Sequence, residues 1–249
     1  MRVCVVQHDI VWENPKENIR RMEARLSAAP RADVYVMAEM WTTGFGVEHF
    51  PDSDEALAWM QHKAHELQAA LVGSVAVEEE GRRFNRAWFV KPDGDVLHYD
   101  KRHLFAPGGE KDDFAAGTGR TVVEWGGVRF LLQVCYDLRF PVWSRNHGDY
   151  DAAIYVANWP VKRMVAWDTL LRARAIENQC YVIGVNRVGN DPKAEYEGGS
   201  VVIDAYGKTM ADCERGAEGF AVADLDMERL QAFRKKFPVL EDRDNYTII

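Results

Sequence analysis

The chain has 249 residues, of which 31 are Lys or Arg and 39 are Asp or Glu, so its formal net charge at pH 7 is −8. Hydrophobic residues make up 47% and charged residues 28%, a composition that excludes a fibrous or largely disordered protein. The acidic balance argues against nucleic acid and against an anionic membrane surface as partners, because both attract basic surfaces.

The cysteines and the apolar runs indicate the compartment. Cys4, Cys135, Cys180 and Cys213 form no CxxC pair, and no His or Cys cluster has metal-ligand spacing. The N-terminal segment lacks the features of a signal peptide. The longest apolar run, residues 152–157, is far shorter than the roughly 18 residues that span a bilayer. We therefore expect a cytoplasmic chain with free thiols.

The first hundred residues predict strands alternating with two helices. A Val-rich strand over 2–8 precedes a helix over 15–28, which Asn14 caps and Pro15 begins. The turn at 92–95 contains Pro, Asp and Gly and predicts a hairpin. The other predicted elements here are a strand over 33–38, a helix over 53–70, and strands over 71–77, 84–91 and 96–99.

The second part begins with residues 100–119, which predict a long loop of the kind that is often functional. The elements predicted after it are strands over 121–125, 128–134 and 152–156, a helix over 167–178, strands over 181–186, 200–203, 208–211 and 220–225, and a helix capped by Asp226 that ends near 237. Hairpins imply antiparallel pairs and strand–helix–strand units imply parallel ones, so we expect an α/β fold with mixed sheets and outer helices. No linker or repeat divides the chain, which predicts one domain over 1–249.

Polar residues interrupt three predicted strand ends. Glu39 follows the strand over 33–38, and a buried carboxylate is costly unless it is paired. Lys101 follows another strand, and Cys135 stands where a strand gives way to a turn and helix, near free backbone N–H groups. Taken singly, these could be a surface acid, a solvated lysine and an inert core thiol. Together they indicate a site, because open α/β sheets place their sites at strand ends.

These three blocks resemble the nitrilase (carbon–nitrogen hydrolase) superfamily, which is marked by a Glu, a Lys and a Cys in this order. The likeness covers nearly the whole chain and extends through residues 158–160, 172–178, 186–189 and 198–200. Residues 39–45 and 135–145 are most similar to the ω-amidase branch, which hydrolyses the terminal amide of 2-oxoglutaramate and 2-oxosuccinamate. One departure is Ala38, where the family commonly has Pro before the Glu.

The resemblance implies a four-layer αββα sandwich, with two mixed β-sheets face to face and helices outside, that commonly dimerises and uses no metal or organic cofactor. It implies that Cys135 attacks the amide carbon to form a thioester and that Glu39 carries the protons. Lys101, helped by the Tyr136 N–H, would stabilise the oxyanion. Glu110 matches the family's second glutamate and would orient Lys101 or the substrate, the alternative being a plain loop acid.

Substrate-binding residues are predicted from the chemistry of an ω-amide acid, whose carboxylate lies four or five atoms from the amide. Arg139, Arg145 and Arg163 are candidates because a guanidinium forms paired hydrogen bonds with a carboxylate. Arg139 could instead be structural and brace Asp137.

Other candidate residues would form the walls of the pocket. Phe45, Trp159 and Tyr136 could line it or belong to the core. Asn158 could orient the substrate or cap the following turn.

The sequence therefore predicts a metal-free cysteine amidohydrolase that releases ammonia from a small ω-amido dicarboxylate, with the amide and water as partners and a homodimer as the assembly. Within the superfamily, the alternatives are a nitrilase, an N-carbamoyl amino-acid hydrolase and a deaminated-glutathione amidase. A catalytically silent binding or scaffold protein, or a redox-sensing thiol at Cys135, are the non-hydrolytic alternatives.

Overall fold

Two six-stranded mixed sheets form the centre of the computed structural model, which describes residues 1–46 and 53–248. The strands in this part of the chain are β1 Arg2–Gln7, β2 Val34–Val36, β3 Ala70–Glu79, β4 Arg82–Val90, β5 Val96–Asp100, β6 Val122–Trp125, β7 Val128–Val134, β8 Ala152–Ala157, β9 Tyr181–Asn186, β10 Val188–Asn190, β11 Glu195–Glu197, β12 Val201–Ile203, β13 Thr209–Asp212 and β14 Gly219–Asp224. The helices are α1 Pro15–Ser27, α2 Ser53–Leu67, α3 Glu110–Asp113, α4 Met164–Glu177 and α5 Met227–Lys236.

Each sheet is built around three parallel strands. The first sheet has the order β14-β1-β2-β3-β4-β5 and the second has the order β13-β12-β9-β8-β7-β6. The parallel trios are β1 to β3 and β7 to β9, and the flanking strands pair antiparallel. Hairpins and strand–helix–strand units thus occur in the same sheets, and the predicted αββα sandwich is confirmed.

The alternation of side chains in β1 shows how the layers are held together. Val3 and Val5 belong to the core between the sheets, whereas Cys4 and Val6 belong to the core beneath the first pair of helices. Both faces of the strand are fully buried, which is why its sequence is apolar throughout rather than alternating. Across the sandwich, the rings of Phe89 and Phe130 lie 5.7 Å apart.

Helices cover the outer faces of both sheets. Met22 of α1 and Met60 of α2 pack on the first sheet, and Trp167 and Leu171 of α4 pack on the second. The predicted α1 cap is confirmed, because the Asn14 side chain accepts a hydrogen bond from a first-turn N–H. No helix within 1–46 and 53–248 is long and apolar enough to cross a membrane.

Some elements differ from their prediction. The segment over 100–119 is not wholly irregular, since it contains a 3-10 turn, Ala106–Gly108, and then α3. A 3-10 turn, Cys135–Arg139, stands where a helix was expected after β7. The β10–β11 hairpin was not predicted, because its short strands carry Gly, Asn and Glu rather than an apolar alternation.

The strand directions bring the polar strand ends together. β5 pairs antiparallel with β4, which pairs antiparallel with β3, so β5 runs in the same direction as β2 and β3. Glu39 and Lys101 therefore leave the same edge of the first sheet. β7 and β8 are parallel, so Cys135 and Asn158 leave one edge of the second sheet.

The loop after α3 is packed closely against the strand end that carries Lys101. The Gly117 N–H donates to the Lys101 carbonyl at 2.9 Å. A Cβ added at Gly117 would lie 2.1 Å from the backbone oxygen of Asp100, whereas one added at Gly119 would meet nothing within 4 Å. Gly117 is therefore a packing requirement at this point.

We expect Gly117→Ala to lower the free energy of unfolding by about 1–3 kcal/mol, because rigid backbone must shift to admit the methyl group. Gly119→Ala is the matched control and should stay within about 0.5 kcal/mol of the parent chain. Urea unfolding followed by circular dichroism measures both changes. Equal stability of the two variants would contradict the close packing at Gly117.

Candidate active site

A buried lysine lies between two buried carboxylates at the edge of the first sheet. The Lys101 Nζ donates to Glu39 Oε1 at 2.8 Å and to both carboxylate oxygens of Glu110 at 2.9 and 2.8 Å. The side chains of Lys101 and Glu39 are fully buried, and that of Glu110 is 3% exposed. Buried charges need such pairing, because each would otherwise lose its hydration without compensation.

Backbone and side-chain donors complete the hydrogen bonding of the two carboxylates. Asn85 of β4 donates its side-chain N–H to Glu39 Oε1 at 2.8 Å and to Glu110 Oε1 at 3.1 Å. Glu39 Oε2 accepts the Asn158 backbone N–H at 2.7 Å. Asn85 was not predicted as a site residue, because only the structure shows that this asparagine is fully buried and hydrogen-bonded to both carboxylates.

Cys135 begins the 3-10 turn after β7 with a backbone φ of +46°. Met40, directly after Glu39, has a similar φ of +48°. Non-glycine residues rarely adopt this left-handed conformation, and such strain is concentrated at functional sites. The Cys135 Sγ lies 4.0 Å from the Asn158 carbonyl oxygen, with the residue only 8% exposed.

Asp137 joins the Cys135 turn to the segment that carries Lys101. Its carboxylate accepts the Tyr99 O–H at 2.8 Å and the Val134 N–H at 3.0 Å. It also accepts the backbone N–H of His103 at 3.0 Å. The two sheets are thereby hydrogen-bonded to one buried carboxylate beside the site.

The alternative in which Arg139 braces Asp137 is wrong, because other groups hold that carboxylate. The Arg139 guanidinium instead lies over the Trp159 ring, 5.0 Å from its centroid. In the same way, the Arg163 guanidinium lies 4.7 Å from the centroid of Phe105. Neither guanidinium has a hydrogen-bond or carboxylate partner among the described residues.

The predicted substrate-binding residues, except Arg145, line one small pocket beside the thiol. This inner pocket has a volume of about 40 Å³. Its lining residues are Phe45, Lys101, Phe105, Cys135, Tyr136, Arg139, Asn158, Trp159, Pro160 and Arg163. Arg145 is not among them, since its guanidinium donates to the Glu177 carbonyl instead.

An outer cleft of about 970 Å³ adjoins the inner pocket. Phe45, Phe105, Asn158, Pro160 and Arg163 line both spaces, so they form the junction between them. The alternative in which Asn158 caps the next turn is wrong, because neither of its side-chain amide atoms has a partner within the described part of the chain.

The charges of the cluster shift one another's pKa values. Burial raises the pKa of the Cys135 thiol, and the Glu39 carboxylate raises it further, against the opposing effect of Lys101. Burial also raises the pKa of Glu39, against the attraction of Lys101. For Lys101, burial lowers the pKa, but the attraction of Glu110 and Glu39 outweighs this and raises it overall. A neutral thiol therefore lies beside a carboxylate of increased proton affinity, which suits proton transfer between them.

Comparison with known proteins assigns the family. The family model described as carbon–nitrogen hydrolase matches residues 2–235. The chain belongs to the carbon–nitrogen hydrolase family. It is therefore an enzyme that hydrolyses carbon–nitrogen bonds, and the predicted superfamily is confirmed. Among residues 1–46 and 53–248 of this hydrolase, no group of three or more His, Cys, Asp or Glu side chains is placed to hold a metal ion.

Three relatives of this carbon–nitrogen hydrolase are similar over almost their whole lengths. The ω-amidase YafV of Yersinia enterocolitica is 46% identical, over 100% of this chain and 99% of the relative. A 2-oxoglutaramate amidase of Bacillus subtilis is 34% identical, over 96% of each chain. The crystal structure of XC1258 from Xanthomonas campestris, a CN-hydrolase superfamily protein, superposes with a TM-score of 0.96 at 41% identity, covering 100% of this chain and 98% of that one.

We expect the reactivity of the Cys135 thiol to depend on Glu39. Because the Glu39 carboxylate raises the thiol pKa, Glu39→Gln should move the midpoint of Cys135 modification to lower pH. The rate of reaction with methyl methanethiosulfonate across the alkaline pH range in which the parent chain stays folded, followed by mass spectrometry of the Cys135 peptide, measures this shift.

Glu177→Gln is the matched control, since Glu177 pairs with Arg174 rather than with the cluster. This variant should leave the midpoint where it is in the parent chain. An unchanged or higher midpoint in Glu39→Gln would contradict the electrostatic coupling.

Proposed function

We propose that this amide-hydrolysing enzyme is an ω-amidase that releases ammonia from 2-oxoglutaramate or 2-oxosuccinamate through a Cys135 thioester. The amidase activity follows from the family and from the relatives. The substrate and the roles of the residues rest on the charges, contacts and lining of the site. Glu39, Lys101, Cys135 and Glu110 are the proposed catalytic residues.

In the first half-reaction, Glu39 takes the thiol proton and Cys135 Sγ forms a bond to the amide carbon. The negative charge that develops on the amide oxygen is stabilised by the Lys101 ammonium and by the Tyr136 backbone N–H. Glu39 then gives its proton to the amide nitrogen. The carbon–nitrogen bond breaks, ammonia leaves, and a thioester remains on Cys135.

In the second half-reaction, water enters the place that ammonia leaves. Glu39 takes a proton from the water as its oxygen attacks the thioester carbon, with the same two groups stabilising the oxyanion. The carbon–sulfur bond breaks, the proton returns from Glu39 to the sulfur, and the acid departs. The chemistry requires no metal, because Lys101 supplies the positive charge at the oxyanion.

The buried cluster suits this proton transfer because its net charge does not change. When the thiol is neutral, the mechanism has Glu39 and Glu110 anionic and Lys101 cationic. Moving the thiol proton to Glu39 leaves the net charge of these four groups unchanged. Protonation of Glu39 also weakens its hydrogen bond with Lys101, so that a lysine N–H becomes free for the substrate oxygen. Glu110 keeps hold of the ammonium with both oxygens throughout.

The observation that carries the substrate proposal is the charge of the inner pocket. Its described lining includes the cations Lys101, Arg139 and Arg163 and no Asp or Glu. Lys101 is already paired with Glu39 and Glu110, but the two guanidinium groups have no carboxylate partner among the described residues of a chain whose net charge is −8. A short amide that carries its own carboxylate supplies the missing partner.

Ammonia release from a substrate panel tests this proposal. We expect kcat/KM for 2-oxoglutaramate to exceed that for pentanamide, a neutral amide of equal length, by about 10- to 100-fold, the value of a charge-assisted hydrogen bond. A nitrile and an N-carbamoyl amino acid should be poor substrates in the same assay. Turnover of either of these without turnover of 2-oxoglutaramate would contradict the ω-amidase proposal, and no turnover of any would favour a silent binding protein.

The proposed nucleophile has its own test. Cys135→Ala should lower turnover to background, because the proposed acyl intermediate forms on Cys135 Sγ, while the thermal midpoint of unfolding stays close to that of the parent. Cys213→Ala, at a buried cysteine outside the pocket, is the control for loss of a thiol and should keep its turnover. Residual activity of Cys135→Ala above a few per cent would contradict the mechanism.

We also propose that the chain acts as one domain, in the cytoplasm and as a homodimer. All four cysteines are unpaired and buried, as in a reducing compartment. Val165 and Ile176 of α4 are 83% and 51% exposed, and a symmetric contact between two copies would bury them. Sedimentation of the purified chain measures the mass of the assembly, and the mass of a single chain would contradict the dimer.

A further inference from the structure

Asn158 carries a buried carboxamide that has no hydrogen-bond partner in the part of the chain that the structure describes. The residue is 5% exposed, and neither its side-chain N–H₂ nor its side-chain oxygen makes a hydrogen bond within 1–46 and 53–248. Buried polar groups are nearly always hydrogen-bonded, so an empty carboxamide calls for a ligand. It lines both the inner pocket and the outer cleft, where a substrate would meet it.

The backbone of Asn158 is fixed beside the reacting atoms. Its N–H donates to Glu39 Oε2 at 2.7 Å and its carbonyl oxygen lies 4.0 Å from Cys135 Sγ. The next residue is held as well, because the Trp159 N–H donates to the Asn186 side chain at 2.7 Å. The carboxamide is thus presented at a fixed place relative to the nucleophile, while its polar atoms remain available.

The length of the substrate indicates which group the carboxamide meets. With the amide carbon of 2-oxoglutaramate at Cys135 Sγ, the 2-oxo carbon lies three bonds away, or about 4 Å in an extended chain. A substrate that extends from the thiol toward the outer cleft would place this carbon at the junction of the two spaces, which Asn158 and Arg163 line. The carboxylate, one bond further, would then be available to the Arg163 guanidinium.

We propose that the Asn158 side-chain N–H₂ donates a hydrogen bond to the 2-oxo oxygen of the substrate and so selects 2-oxo acid amides over amides that lack this group. This inference rests on the proposed ω-amidase function. It adds the residue that recognises the 2-oxo group, which lies between the amide and the carboxylate of the substrate. A substrate without the 2-oxo group would leave the buried carboxamide empty, and a site built for a hydrogen bond rejects such analogues.

The positive charge of the pocket supports a 2-oxo rather than a 2-ammonium substituent. Arg139 and Arg163 line the inner pocket, and their guanidinium groups have no carboxylate partner among the described residues. A 2-ammonium group would be repelled by these two guanidinium groups, whereas a carbonyl oxygen accepts a hydrogen bond from a neutral carboxamide at no electrostatic cost. Glutamine and asparagine should therefore be poor substrates beside their 2-oxo counterparts.

The test compares two substrates in the full-length enzyme. Glutaramate has the same amide, carboxylate and length as 2-oxoglutaramate but has hydrogens in place of the 2-oxo oxygen. We expect the parent enzyme to favour 2-oxoglutaramate in kcat/KM by about tenfold or more, the value of one well-placed hydrogen bond. The Asn158→Leu variant replaces the carboxamide with an apolar side chain of similar size. In this variant the ratio of kcat/KM for 2-oxoglutaramate to that for glutaramate should fall to within about threefold of one.

Two further variants separate recognition from a structural role. Asn158→Asp keeps the shape but has no N–H, so its ratio should fall as in Asn158→Leu. Asn190→Leu changes a residue that lines only the outer cleft and should keep the parent ratio. A purely structural defect at Asn158 would lower both substrates equally and leave the ratio unchanged.

The outcomes distinguish this inference from the function on which it rests. A parent enzyme that hydrolyses neither carboxylate-bearing amide overturns the proposed function and the inference with it. A parent enzyme that hydrolyses both, with a ratio near one or with a ratio that Asn158→Leu and Asn158→Asp do not lower, overturns the inference alone.

Discussion

The ion pair of Lys101 with Glu39 and Glu110 is the interaction on which the rest of the site depends. Two carboxylates are buried within reach of one ammonium, and removing that ammonium would leave them uncompensated at a cost of about 3–5 kcal/mol. The same contacts set the proton affinity of Glu39 and keep Lys101 charged. The ion pairs that compensate the buried charges are therefore also the contacts that prepare Glu39 and Lys101 for the proposed proton transfer.

The site exists only because two sheets meet. Glu39 and Lys101 leave the first sheet, whereas Cys135 and Asn158 leave the second, so the proposed base and nucleophile belong to opposite layers of the sandwich. Asp137 holds the layers in register by hydrogen bonds to both. The strained backbone of Cys135 persists because the surrounding contacts leave it no other conformation.

The groups proposed for reaction and for recognition are separated along the pocket. The thiol and Lys101 lie in the inner pocket, whereas the side chains of Asn158 and Arg163, which have no hydrogen-bond partner among the described residues, lie where that pocket meets the outer cleft. A chain of net charge −8 offers no long-range attraction to an anionic amide. For the proposed substrate the attraction would be local, supplied by the Arg139 and Arg163 guanidinium groups, which have no carboxylate partner among the described residues.

The sequence by itself determined the features that depend on neighbours along the chain. The apolar run of β1 and the cap at Asn14 are local patterns that predicted a strand and a helix, and the resemblance of the blocks around Glu39, Lys101 and Cys135 to a known family implied the sandwich and the candidate site residues. The tertiary structure alone decided which of these groups touch. Asn85 bridges two glutamates from a strand with no motif, and the Asn158 N–H reaches Glu39 across 119 residues. Such contacts depend on strand order and on the packing of the two sheets, which no local periodicity encodes.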